Sequence, residues 1–257
     1  MTQTNKSLGQ HWLYDEDILR EIAGCAGVVA GDAVIEVGPG LGTLTDELLD
    51  IGAKVTAVEF DKNLFNELGK KYKNTSINLV NEDILKFDFS SIKGAYKVVA
   101  NIPYYLTSNL IRILSELPNP PECASLLVQK EVAERIASKP GNMSKLSVFA
   151  QNTFEASLGP IVLARYFTPP PKVDSQVIIL NLRNSKIVPA ELENNFNKVV
   201  KAGFGEKRKK LRSSLGGGLK ISKQQADQLL HQANINSNER AQSLSINDWL
   251  TLAKIYK

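Results

Sequence analysis

The stretch Asn101-Ile102-Pro103-Tyr104 carries the most specific chemistry in this chain. An amide oxygen and a backbone carbonyl can accept both hydrogens of an aromatic amine, and a tyrosine ring can stack on its base. Pro103 restricts the turn, so that both acceptors point the same way. The preceding run, Tyr96-Lys97-Val98-Val99-Ala100, reads as a buried parallel strand. The motif therefore falls at a strand's carboxyl end, where open α/β sheets hold their ligands. Such a grip suits methylation of an adenine's exocyclic nitrogen.

Three other strand ends carry matching features. Glu36-Val37-Gly38-Pro39-Gly40-Leu41-Gly42 closes one apolar run and opens a helix. Its glycines let the backbone approach a ligand, and Pro39 removes a donor that a phosphate could have used. The spacing Gly-x-Gly-x-Gly departs from the Gly-x-Gly-x-x-Gly of dinucleotide folds. Glu59 ends the next strand, where a carboxylate can accept both ribose hydroxyls. Asp83 follows the third and could take an adenine amino group. A glycine loop alone is a weak signal, since it can also be a simple turn. Gly38, Gly40, Glu59, Asp83 and Asn101 at successive strand ends describe a nucleoside crevice, which suits S-adenosylmethionine better than NAD.

The elements that position these residues alternate. Ala33–Val37, Lys54–Val58, Ile77–Val80, Lys97–Ala100 and Ser125–Val128 are expected strands. Between them Thr43–Asp50, Lys62–Lys71, Ser108–Leu117 and Glu131–Ser138 have helical spacing. This rhythm implies a Rossmann-like, mostly parallel sheet covered by helices. Past Pro160, two short strands flank the turn Phe167-Thr168-Pro169-Pro170-Pro171 and suggest an antiparallel pair closing the sheet edge. From Ala190 the chain reads as a small all-helical domain interrupted by Gly216-Gly217-Gly218. Domains are expected at 1–186 and 187–257.

Composition bounds the class. At 257 residues and 43% hydrophobic content the chain can bury a substantial core. Cys25 and Cys123 lack disulfide or zinc spacing, so no metal is expected and a cytoplasmic setting is. No apolar run approaches membrane-spanning length, and no signal core stands at the N-terminus. The net charge of +4 is unevenly spread: Lys198 to Lys223 holds nine Lys or Arg against one acid, Glu206. The rest of the chain is net negative. Such asymmetry suggests a nucleic-acid partner, although a charge run alone also fits a solvated helix face.

With these residues in view, the chain resembles the ribosomal RNA adenine dimethyltransferase family. The resemblance rests on Lys6-Ser7-Leu8-Gly9-Gln10-His11-Trp12-Leu13, the Glu36–Gly42 loop, Asn101–Tyr104, Gln129-Lys130-Glu131-Val132-Ala133-Glu134-Arg135, Phe167–Ser175, and Phe204-Gly205-Glu206-Lys207-Arg208-Lys209-Lys210-Leu211-Arg212. It implies S-adenosylmethionine as cofactor, held by His11, Leu13, Gly38, Glu59, Asp83 and Asn101. It implies dimethylation of two adjacent adenines in a hairpin loop near the 3′ end of small-subunit rRNA, coupled to small-subunit biogenesis. The partners would be that rRNA and the immature small ribosomal subunit, with the protein a monomer and no membrane involved. Lys207, Arg208, Lys209, Lys210 and Arg212 form a basic helix expected to contact RNA. The chain departs from the family at His11, where Asn is frequent, at Trp12, where Phe is usual, and at Asn142-Met143-Ser144-Lys145.

Under this resemblance the target base is flipped out. Tyr104 and Phe167 stack on its two faces, while Asn101 and the Ile102 carbonyl accept the amine hydrogens. No histidine lies near the four-residue motif in sequence, and no general base is expected. A large-subunit rRNA adenine methyltransferase, a non-catalytic ribosome-assembly or transcription factor on the same fold, and an NAD-dependent oxidoreductase are the competing readings.

Overall fold

A computed structural model describes residues 11–256. Its packing forms two units, the first comprising the chain up to residue 134 with residues 155–182, the second residues 135–154 with the chain from 183 onward.

The first unit is built on β2 (Ala33–Val37), β3 (Lys54–Glu59), β4 (Asn78–Asn81), β5 (Lys97–Asn101), β6 (Cys123–Gln129), β7 (Phe154–Val162) and β9 (Ser175–Leu182). A two-residue strand β1 (Trp12–Leu13) pairs antiparallel with β8 (Phe167–Thr168) outside that sheet. Helices α1 (Glu16–Cys25), α2 (Thr43–Asp50), α3 (Lys62–Lys71), α4 (Thr107–Glu116) and α5 (Lys130–Ile136) connect the strands. Among the described residues the large sheet has seven strands in the order β4-β3-β2-β5-β6-β9-β7. β2 pairs parallel with both β3 and β5. The chain leaves β2 toward one side of the sheet and returns on the other, so the crevice of a doubly wound fold opens above β2 and β5. β5 and β6 are buried almost throughout, as central parallel strands covered on both faces must be.

Local chemistry fixes the joints. Asp61 caps α3 by accepting from the Asn63 and Leu64 amides at 2.8 and 3.3 Å. Gly42, with φ +78°, turns the loop into α2. The single Tyr72 O–H is shared between the Gly42 carbonyl at 2.7 Å and Asp46 at 2.8 Å, and Lys71 also reaches the Gly42 carbonyl, at 3.2 Å. The glycine loop is thus held from behind by α3.

The pair of strands expected to close the sheet edge does so. β9 pairs antiparallel with β6, and β7 is outermost. β9 is buried along most of its length, whereas β7 exposes Leu158 and Ile161 and carries Pro160, which lacks a ladder donor.

The second unit contains α6 (Lys145–Thr153), α7 (Glu193–Gly205), α8 (Leu211–Leu219), α9 (Lys223–Gln232) and α10 (Ile246–Ile255). Met143 and Val148 share its core with Phe196, Leu215, Leu230 and Trp249. Packing therefore divides the chain differently from the composition boundary at 186. The apolar face of α6 joins the later helices, a non-local match that linker composition does not reveal. Nor do the three glycines interrupt the helices: all lie within α8. A Cβ on Gly218 would stand 2.5 Å from the Ala202 Cα, so the glycine permits the close crossing of α7 and α8.

Candidate active site

A cavity of about 290 Å³ opens at the carboxyl ends of β2–β5, within the first unit. Gly38, Gly40, Glu59, Asp83, Asn101, Ile102, Pro103 and Tyr104 all line it, together with His11 and Leu13. Residues 6–10 of the first matching motif lie outside the described residues.

Glu59 ends β3 and is only 6% exposed. One carboxylate oxygen accepts from the Gly40 amide at 3.1 Å, and the other from the Asp61 amide at 2.8 Å. Burial raises its pKa, and these two amides oppose the rise. Each oxygen retains acceptor capacity for a ligand hydroxyl. Asp83 resembles it: one oxygen accepts from the Leu85 amide at 3.0 Å. Beneath the loop, Glu36 also lines the cavity and accepts from the Thr45 hydroxyl at 2.6 Å. Complete burial pushes its pKa up to about 8.

The N-terminal strand forms another wall. The Thr43 hydroxyl donates to the Leu13 carbonyl at 2.9 Å, fixing β1 beside the loop. Trp12 packs so closely on Gly40, where φ is +60°, that a Cβ there would enter its ring. The Trp12 indole nitrogen is buried without an acceptor among the described residues.

At the far end of β5, the Asn101 side chain has no hydrogen-bond partner among the described residues. The Tyr104 hydroxyl bonds Ser175 Oγ at 2.8 Å, and its ring stacks on His11 with centroids 5.9 Å apart and planes at 26°. Burial raises the Tyr104 pKa, while Ser175 opposes the rise. His11 Nδ1 donates to the Pro169 carbonyl at 2.6 Å. A histidine thus stands beside the four-residue motif after all, brought from far away in sequence by the β1–β8 pair.

Phe167 is not in the cavity wall. The pair places it opposite Leu13, 3% exposed and in the apolar core with Leu19 and Val177. Directly opposite residues of an antiparallel pair share a face, and Leu13 and Phe167 pack together in that core. The basic run is likewise a turn rather than a helix. Lys207 to Lys210 lie between α7 and α8, exposed, and only Arg212 is helical. Lys210 donates to Asn238 at 2.8 Å, and Arg212 stands 4.0 Å from Asp227.

Phe60, Tyr105 and Glu36 also line the cavity, the first two directly after Glu59 and Tyr104 and the third opening the glycine stretch, and local pattern gives none of them a role. The same holds for Ser175, whose contact with Tyr104 no local pattern signals.

The chemical character of the wall fits a nucleoside carrying a short charged tail. Two carboxylates on adjacent strand ends can take hydroxyl and amino donors, a glycine turn allows close approach, and a buried indole N–H awaits an acceptor.

A seven-stranded, mostly parallel sheet with its crevice at these strand ends defines a Rossmann-like methyltransferase. Residues 1–257 match the family model of the ribosomal RNA adenine dimethylases, and the chain belongs to that family. It is 40% identical over 258 residues to the ribosomal RNA small subunit methyltransferase A of Dehalococcoides mccartyi (strain CBDB1), covering 99% of this chain and 89% of the relative. The protein of the same name from Clostridioides difficile (strain 630) is 38% identical, with coverages of 98% and 90%. Among solved structures, a dimethyladenosine transferase from Plasmodium falciparum superposes with TM-score 0.79 at 27% identity, over 94% of this chain and 96% of the other. The 23S rRNA methyltransferase ErmE superposes with TM-score 0.76 at 28% identity, over 95% and 98%.

Proposed function

We propose that this protein uses S-adenosylmethionine to dimethylate the exocyclic amines of two adjacent adenines in a hairpin loop near the 3′ end of small-subunit rRNA, during small-subunit biogenesis. The observation that carries the reading is the Asn101 side chain, without a hydrogen-bond partner among the described residues, in one cavity with Glu59 and Asp83. Relatives at about 40% identity with a small-subunit name support the substrate over the large-subunit alternative.

Glu59 would accept the ribose hydroxyls and Asp83 the adenine amino group of the cofactor, with Gly38, Gly40, His11 and Leu13 shaping its cleft. Bound there, the cofactor supplies an electrophilic methyl group. Asn101 Oδ1 and the Ile102 carbonyl accept the target amine's hydrogens, which draws the nitrogen toward tetrahedral geometry and frees its lone pair. Pro103 holds those acceptors in register, and Tyr104, braced by Ser175 and His11, offers the stacking face. One base–aromatic contact of this kind is worth about 1–3 kcal/mol. Phe167, buried in the core, is not assigned the second face. Positioning and electrostatics carry the step, and the methylated nitrogen gives up its proton to water. A monomethylated amine keeps one hydrogen and uses a single acceptor the second time.

Lys207, Arg208, Lys209, Lys210 and Arg212 would contact rRNA phosphates. The protein is taken to act as a monomer in the cytoplasm on the immature small subunit. Among the described residues no helix is long and apolar enough to cross a membrane.

Primer extension across rRNA from cells lacking this protein, with and without complementation, tests the reading, because a dimethylated adenine blocks extension. A stop near the 3′ end of small-subunit rRNA should vanish and return. A stop that responds only in large-subunit rRNA would favour the activity of the ErmE-like neighbour. Asn101→Ala should lower methyl transfer by orders of magnitude and leave RNA affinity intact; near-normal turnover would remove the assigned role.

A further inference from the structure

Two aromatic side chains of the cavity wall face solvent. Phe60 is 62% exposed and Tyr105 58%, although both line the cleft. Phe60 directly follows Glu59, and the Asn81 side-chain amide donates to the carbonyls of Glu59 and Phe60 at 2.8 and 3.2 Å. Tyr105 lies in the short 3-10 turn after Pro103, which closes through the Leu106 amide on the Pro103 carbonyl at 2.9 Å. Burial of the Tyr105 hydroxyl, then the charges of Asp83 and Glu59, raise its pKa. Tyr105 lines the same cavity as Glu59 and Asp83 at the ends of β3 and β4, while much of the residue stays wet. An aromatic ring held over a cleft with its face uncovered gains most when a flat ligand covers it.

We propose that Tyr105 is a lid on the nucleoside end of the cofactor cleft, closing over the bound cofactor together with Phe60. The inference rests on the reading that the cleft takes S-adenosylmethionine. It also assigns a kinetic role. Dimethylation requires the spent cofactor, S-adenosylhomocysteine, to leave between the two transfers, and a lid slows that departure. Tyr105 adjoins Tyr104, so one turn holds both the stacking face for the target base and the brake on cofactor exchange.

The test compares Tyr105→Ala and Tyr105→Phe with the wild-type full chain. S-adenosylhomocysteine is titrated calorimetrically, and its release is followed by stopped-flow tryptophan fluorescence, to which Trp12 in the cleft and Trp249 in the helical unit both contribute, only the first from the cavity wall. Tyr105→Ala should weaken binding and speed release by about tenfold, the scale of one lost aromatic contact on a base. Tyr105→Phe should match the wild type, because the ring and not the hydroxyl forms the cover. RNA affinity by gel shift should be unchanged in both. Wild-type affinity for S-adenosylhomocysteine in Tyr105→Ala, or an effect confined to RNA affinity, would overturn the lid and leave the cofactor reading standing. No binding by the wild type itself would remove the cofactor reading, and the lid with it.

Discussion

Replacing Glu59 by Gln keeps the side chain's shape and asks whether its charge and its acceptor count hold the site together. Both carboxylate oxygens already serve the backbone, one accepting from Gly40 at 3.1 Å and the other from Asp61 at 2.8 Å. An amide has one acceptor oxygen, so its NH2 must face one of these N–H groups, donor to donor. A buried donor left without an acceptor costs about 1–3 kcal/mol. The sheet unit should therefore lose about that much stability, with its melting point falling roughly 2–4 °C per kcal/mol. The ribose hydroxyls lose a charged acceptor as well, and charge-assisted bonds are about twice as strong as neutral ones. Affinity for S-adenosylhomocysteine should fall about 10- to 100-fold, which is about 1.4–2.8 kcal/mol. Calorimetric titration and thermal melting measure the two effects separately. Burial raises the Glu59 pKa, so lowering pH protonates the wild-type carboxylate and should narrow the gap between wild type and variant. Binding by Glu59→Gln within about twofold of wild type, with an unchanged melt, would refute both the acceptor count and the ribose assignment.

Three further expectations follow from named contacts. Glu36, with its pKa raised to about 8, binds a proton in the folded state that the unfolded chain has released. Its contribution is complete below the ordinary carboxylate range and declines from there until pH passes about 8, so wild type should lose stability from mildly acidic pH up to about 8 and level off beyond it. Glu36→Gln should flatten that loss, and parallel melting curves against pH would contradict it. Replacing Lys207, Arg208, Lys209, Lys210 and Arg212 with Gln should weaken rRNA binding and reduce the slope of log affinity against log salt by about 0.7–0.9 per phosphate contact removed. An unchanged slope in a filter-binding titration would make the run an ordinary solvated turn. Gly218→Ala should destabilise the helical unit by about 1–3 kcal/mol through overpacking against Ala202, read as a lower denaturant midpoint; an unchanged midpoint would mean that α7 and α8 part without cost.

Much of the site was legible because it is built from strand ends. Each of Gly38, Glu59, Asp83 and Asn101 stands just past an apolar run, and a parallel sheet gathers such positions at one edge whatever its loops do. Helices α2 and α3 fall where periodicity puts them, because that signal acts within a few residues. The charge of the segment around Lys207 was equally plain, but its shape was not. Strong basic content reads the same in a helix and in the turn between α7 and α8.

What the sequence alone determined is therefore the sheet, the crevice and the chemistry of the residues lining it, since all of these follow from local pattern. Only the tertiary structure decided which distant residues complete the site. His11 comes to Tyr104 through its bond to Pro169, 158 residues away, and Ser175 meets the Tyr104 hydroxyl across 71 residues. Phe167 meets Leu13 across the β1–β8 pair and is buried with it in the apolar core. Segment 135–154 joins the helical unit through the apolar face of α6. Contacts of this kind depend on where separate elements pack, and no window along the chain contains both partners.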